Sequence, residues 1–251
     1  MTGRSSRVNQ CQRPTGLFGR FVLRSMNSRH GGVTDWGLSH ASIGKQDVIL
    51  DVGCGGGRTV SKLAAIATDG KVYGIDHSPE SVAMAVRLNR QGIDHGRVEI
   101  REASVSQLPF ADGTFDVVTA VETHFWWPAL ATDMREVLRV IKPGGRLILV
   151  AEVYKGSSAF SAKAVEIYSK KTGMALLSVE EHRALFAEAG YSDFQVFTEP
   201  CKGWICCIGS KVQASWGWVE FRACWGWTWW IPITRLVRRL FTFVSTAPNC
   251  R

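Results

Sequence analysis

Residues 49–63 read ILDVGCGGGRTVSKL. The apolar run Val48-Ile49-Leu50, preceded by the polar Lys45-Gln46-Asp47, has the length and composition of a buried strand. The chain then turns through Asp51-Val52-Gly53-Cys54-Gly55-Gly56-Gly57 and enters Arg58–Ala67, where Val60, Leu63, Ala64 and Ala67 recur at helical spacing. Strand, glycine turn and helix open a nucleotide-type βαβ unit. Glycine serves such a turn in two ways. It takes positive φ without strain, and it lets a ligand approach bare backbone where helix N–H groups point outward.

Spacing selects among the ligands. A dinucleotide fingerprint needs G-x-G-x-x-G; counted from Gly53 the third glycine falls on Arg58, and counted from Gly55 it falls on Val60. This disfavours a nicotinamide-dependent oxidoreductase. No Gly-Lys-Ser/Thr follows, so a Walker loop fails as well. What remains is acid-x-Gly-x-Gly-x-Gly, carried by Asp51, Gly53, Gly55 and Gly57. That pattern resembles the first motif of the class I S-adenosylmethionine (SAM)-dependent methyltransferases, and four later features extend the resemblance over residues 15–211. They are Asp76 at a strand end, Leu108-Pro109-Phe110, the strand FDVV at 115–118 and IKPGG at 141–145.

The 251 residues suffice for one substantial core, and 45% hydrophobic with 21% charged residues reads as soluble and globular. The seven cysteines form no CxxC pair and no histidine cluster stands at zinc spacing, so reduced thiols and no metal are expected. No continuous apolar run follows the basic N-terminus, which speaks for a cytoplasmic protein without a secretory leader. The net charge of +8 sits at the ends: residues 1–34 hold six arginines and no acid, and residues 201–251 hold seven basic residues against Glu220. The body between them is mildly acidic, which disfavours a nucleic-acid substrate.

Along the chain, a helix is expected from Thr15 with Leu17, Phe18, Phe21, Val22 and Met26 as its apolar stripe. A second is expected over residues 34–42 with Thr34 as cap and Trp36 and Leu38 facing inward. This leading segment either packs or closes over a substrate cleft, with Met26, His30 and Trp36 among its candidate lining residues. Lys71–Ile75 reads as a strand ending at Asp76, 19 residues beyond Gly57, where a carboxylate accepts hydrogen bonds from both ribose hydroxyls. Ser78 caps the next helix and Pro79 occupies its first turn. Further strands are expected over Arg97–Glu102, Phe115–Val121 and Arg146–Glu152, with a helix over residues 129–140 and IKPGG as a turn. Ser178 and Glu181 have capping-box spacing, and residues 194–198 and 204–208 read as a closing antiparallel pair.

The resemblance implies a Rossmann-like, doubly wound α/β sheet of seven strands in the order 3-2-1-4-5-7-6 with the last strand antiparallel. It implies three parts: an N-terminal helical cap (1–44), the methyltransferase domain (45–212) and a Trp-rich basic extension (213–251) holding six of the ten tryptophans. It implies SAM as cofactor and S-adenosylhomocysteine (SAH) as product, held by Asp51, Gly53, Cys54, Gly55, Gly57, Asp76, His77, Ser104, Val105 and Val121. Ser104 and Val105 stand where the family meets adenine, although aspartate is commoner where Ser104 stands. The stretch after the fourth strand, Glu122-Thr123-His124-Phe125-Trp126-Trp127-Pro128, belongs where the methyl group is delivered. His124 and Glu122 are the candidate general bases there, His30 a further one, and Phe125 and Trp126 line an aromatic cleft or the core. The function expected is methyl transfer to a small-molecule acceptor, near the quinone-biosynthesis type. The alternative is a SAM-binding regulatory or partner module without catalysis. In the extension, Ile233, Leu236, Val237, Leu240 and Val244 share one helical face among arginines, so peripheral membrane contact through residues 229–244 is a further expectation.

Overall fold

The computed structural model describes residues 14–159, 161–213, 218–222 and 228–232. It begins with two helices, α1 (Gly16–Arg29) and α2 (Gly31–Ser39), and then alternates β1 (Val48–Val52), α3 (Arg58–Ile66), β2 (Lys71–Asp76), α4 (Pro79–Leu88), α5 (Arg90–Asp94) and β3 (Val98–Glu102). The second half follows as β4 (Phe115–Val121), a short 3-10 turn at His124–Trp126, α6 (Leu130–Val140), β5 (Ile141–Ala151), α7 (Ala162–Thr172), α8 (Val179–Ala189), β6 (Ser192–Glu199) and β7 (Trp204–Ser210). The sheet runs β3-β2-β1-β4-β5-β7-β6, with β7 antiparallel to both neighbours, as the resemblance implies.

Period-two alternation explains why helices cover both faces. Leu50, Val52, Val118, Ala120, Leu147 and Leu149 point to a core closed by Met134 and Val137 of α6 and Phe186 of α8. Their neighbours Ile49, Val117, Ile148 and Val150 point the other way, to Val33 and Leu38 of α2 and Val60 and Leu63 of α3. A continuous apolar strand is thus two half-strands serving two cores. On the second face α2 presses so closely on β5 that a Cβ at Gly37 would collide with Val150. This contact sets the α1–α2 junction above the ends of β4 and β5.

Local rules account for the element ends. Ser78 caps α4 by accepting from Ser81 N, with Pro79 in the first turn, and its hydroxyl donates to Pro14 O at 2.9 Å. Ser178 and Glu181 close the capping box of α8. Lys211 Nζ donates to the carbonyls of Leu138, Arg139 and Ile141, placing a cation on the negative end of α6.

Three expectations need correction. The stripe Phe18–Phe21 does not face inward: Phe18 is 50% and Phe21 70% exposed, while Leu23 is buried, because α1 leans on α4 through the neighbouring face. Thr34 does not cap α2, which starts at Gly31; its hydroxyl donates to His30 O at 2.7 Å, one turn back. IKPGG is no separate turn. Ile141 pairs with Phe115, and β5 carries the segment as an irregularity between Phe115 and Val117, with Gly144 at φ 82°.

The chain divides into two compact units between Val212 and Gln213. Within the second, β8 (Trp218–Arg222) and β9 (Thr228–Pro232) pair antiparallel. The basic amphipathic helix expected over residues 233–244 lies outside the described residues. Among the described residues, no helix is long and apolar enough to cross a membrane.

Replacing Ser178 with Ala removes the acceptor for the Glu181 N–H and is expected to cost about 1 kcal/mol, measured by denaturant unfolding. An unchanged midpoint would contradict the role given to the capping box.

Candidate active site

The glycine loop leaves β1 with three glycines at positive φ, each for its own reason. Gly53 (φ 74°) passes under Thr123, whose hydroxyl a Cβ would strike. Gly57 (φ 83°) begins α3 against α4, where a Cβ would stand 2.7 Å from Ala85 Cα. Gly55 (φ 51°) has nothing within 4 Å on its Cβ side, so its backbone opens on empty space. Two further bonds hold the loop: Gly53 N and Cys54 N donate to Ile75 O at 2.9 and 2.8 Å.

Asp76 ends β2 and is 8% exposed. Its Oδ2 accepts from Gly55 N and its Oδ1 from Ser78 N, both at 2.9 Å. Burial raises its pKa, opposed by those two N–H groups. The carboxylate is thereby fixed in orientation on the wall of a cavity of about 450 Å³. The cavity crosses the carboxyl ends of four strands in spatial order: Ser104 and Val105 beyond β3, Asp76 and His77 at β2, Gly53, Cys54 and Gly55 at β1, and Val121, Glu122 and Thr123 at β4. Trp126, Trp127 and Pro128 continue that wall, and His30, Thr34 and Leu23 of the leading helices cover it. This is the crevice in which doubly wound sheets bind ligands. Its size, the open face of Gly55 and the oriented Asp76 fit a nucleoside with an amino-acid tail.

Beyond β4 the chain turns sharply. Glu122 has φ 57°, a left-handed conformation that a side chain rarely adopts and that marks functional turns. Its N–H donates to Val150 O at 2.9 Å, and its Oε1 accepts from Glu152 N. Burial and the facing Glu152 push its pKa up to about 8. Burial also raises Glu152. His30 Nε2 lies 3.9 Å from Glu152 Oε2, and burial together with Arg29 lowers the imidazole to about 4, so it is neutral near pH 7. Donor atoms of His30, Glu122 and Glu152 all lie within 4.8 Å of one another. Adjacent ligands of a small divalent ion stand roughly 3–3.5 Å apart, as bonds of about 2.0–2.2 Å dictate. The His30–Glu152 spacing is wider, and one Glu122 oxygen already serves a backbone N–H.

Several sequence candidates lie elsewhere. His124, 2% exposed, is not on the cavity wall; the 3-10 turn rotates it toward α8, where its Nε2 meets His182 Nε2 at 3.3 Å. His182 Nδ1 lies 2.7 Å from Ser178 O and must donate to it, so His182 Nε2 accepts and His124 carries its proton on Nε2. Burial and the facing His182 depress the His124 pKa. Asp51 is under the loop: its Oδ1 accepts from the Thr119 hydroxyl at 2.7 Å, and burial raises its pKa to about 7. Gly57 shapes the loop from outside the lining. Phe125 belongs to the core, and Trp36 packs on Trp204 and His40. The Met26 side chain lies outside the described residues. Thr123 and Trp127 of the expected cluster line the cavity, whereas Arg58, which also lines it, and Glu152 were not anticipated. Glu152 carried a readable signal, since it follows β5 as Glu122 follows β4.

The raised pKa of Glu122 means that the folded state holds a proton the unfolded chain releases near 4.5, so this residue costs stability increasingly as pH rises toward 8. Glu122→Gln keeps the acceptor for Glu152 N and cannot ionise. It is expected to match the parent near pH 5 and to exceed it by at least about 1 kcal/mol near pH 9 in denaturant unfolding. Equal stability at both pH values would contradict the assigned pKa.

Comparison with known proteins shows what this chain is similar to. The methyltransferase domain family matches residues 50–149. The 27-O-demethylrifamycin SV methyltransferase of Amycolatopsis mediterranei is 34% identical over 162 residues, 61% of this chain and 59% of that protein. A demethylmenaquinone methyltransferase of Bacillus pumilus is 27% identical over 231 residues, 80% of this chain and 97% of that protein. The chain thus spans little more than half the length of the first of these relatives. The crystal structure of a SAM-dependent methyltransferase from Aquifex aeolicus superposes with a TM-score of 0.62 at 19% identity, covering 77% of this chain and 98% of that one. Residues 50–149 thus match a methyltransferase domain, and in motif and fold the chain is similar to the class I SAM-dependent methyltransferases.

Proposed function

We propose that this protein transfers the methyl group of SAM to a small-molecule acceptor held beyond the ends of β4 and β5. The observation that carries this reading is the division of one cavity into two chemically different ends. At one end stand Asp76, Ser104 and Val105; at the other stand Glu122, His30 and Trp126. Asp76 takes the ribose hydroxyls with the lone pairs its backbone bonds leave free. The Ser104 hydroxyl and the Val105 N–H meet the adenine edge, and the backbone of Gly53–Gly55 lies along the amino-acid tail. Bound SAM supplies a methyl carbon made electrophilic by its sulfonium.

The chain's own task is orientation. Holding an acceptor in line at near-attack distance supplies on the order of 7 kcal/mol or more of the barrier. Trp126 and Trp127 offer flat apolar faces suited to an aromatic or quinone-like acceptor. The leading helices α1 and α2 cover this end, and the domain of residues 45–212 carries the catalysis. Glu122, rather than the buried His124, faces the acceptor.

The test is a titration calorimetry series with SAM and SAH, followed by SAH-release assays on hydroxylated aromatic and quinol acceptors. Binding of both, with SAH accumulating only when an acceptor is present, is the expected result; binding without turnover on any acceptor would favour a regulatory module. Asp76→Asn is expected to weaken SAM binding by roughly 10- to 100-fold, or about 1.5–3 kcal/mol for a charged hydrogen bond. Unchanged affinity would remove Asp76 from the ribose.

A further inference from the structure

The parallel register of β4 and β5 pairs Val121 with Val150, so Glu122 and Glu152 leave neighbouring strands side by side. The left-handed turn at Glu122 swings its carboxylate onto the backbone N–H of Glu152, locking the two acids together. The groups facing them are few. Arg29 at the end of α1 reaches Glu152 at 4.0 Å but is 71% exposed, so solvent screens it. His30 is close and neutral. Arg58, at the start of α3, lies against Gly31. Two carboxylates with oxygens within 4.8 Å of one another, and no buried cation beside them among the described residues, retain one proton between them.

Building on the methyl-transfer reading above, we propose that Glu122 and Glu152 hold a single shared proton, which the cationic cofactor displaces, so that the pair receives the acceptor's proton when the methyl group leaves. With Asp76, Ser104 and Val105 holding the adenosine end, the sulfonium end of SAM would lie toward the ends of β1 and β4, where Glu122 stands on the cavity wall. A positive charge there favours the doubly ionised pair, and the neutral thioether of SAH favours the singly protonated one. The transfer then balances. A lone pair of an acceptor hydroxyl forms the O–CH3 bond, the C–S pair stays on sulfur, and the hydroxyl proton passes to the carboxylates. The net charge of pair plus cofactor is minus one before and after. The acceptor class that fits is an ionisable hydroxyl, since an amine or thiolate needs no such base.

The test needs no acceptor. The full chain is titrated with SAM and with SAH, with EDTA present, in phosphate and in Tris, whose ionisation heats differ, to count protons released. SAM is expected to release a substantial fraction of a proton more than SAH. The ratio of SAM to SAH affinity is expected to rise at least about fivefold between pH 6.5 and 9, where a pKa near 8 is crossed. Glu152→Gln and Glu122→Gln each abolish the difference while SAH still binds. Equal proton counts for the two ligands in the unaltered protein, or a difference that survives in both variants, would overturn the proposal and leave the methyltransferase reading intact. Failure of both ligands to bind would overturn that reading and the proposal with it.

Discussion

The carboxylate of Asp76 holds the site together. It binds the loop at Gly55 N and the start of α4 at Ser78 N, so one side chain joins the first glycine turn to the second crossover. Neither partner is a cation, and His77, 3.8 Å away, is half exposed. Oriented backbone dipoles and the start of α4 therefore stabilise the charge, which suits a group that must also present lone pairs to a ligand. The loop's other anchors, Gly53 N and Cys54 N on Ile75 O, fix the same edge of β2. Without them the open backbone of Gly55 would not face the cavity.

The rest of the site follows from where parallel strands stop. The residues just past β3, β2, β1 and β4 line the cavity in the spatial order of those strands. Asp76 and Ser104 stand toward β2 and β3, and the paired Glu122 and Glu152 stand at the ends of β4 and β5. The leading helices complete the wall because Gly37 lets α2 settle directly on β5, bringing His30 over Glu152.

Much of this was legible in the sequence because it is local. The glycine spacing, the Ser78 cap, the capping box at Ser178 and the β-branched run at 115–121 each report on a few consecutive residues. What escaped depends on geometry that spacing does not carry. Among Glu122-Thr123-His124, which residues face the cavity is decided by one left-handed φ and a 3-10 turn, and these leave Glu122 and Thr123 on the wall and send His124 into the core against His182. The inward face of α1 was misjudged because aromatic residues sit on its outer side, and Leu23 is the one that seals the fold. Glu152 was overlooked because its partnership with Glu122 crosses 30 residues of chain through the β4–β5 register.

The account rests on a fixed polarity of the cavity, and a crystal structure of the protein with SAH bound measures it directly. It predicts ribose hydroxyls on Asp76, adenine beside Ser104 and Val105, and the sulfur pointed toward Glu122. A ligand lying in the reverse sense, or with its ribose away from Asp76, would contradict it.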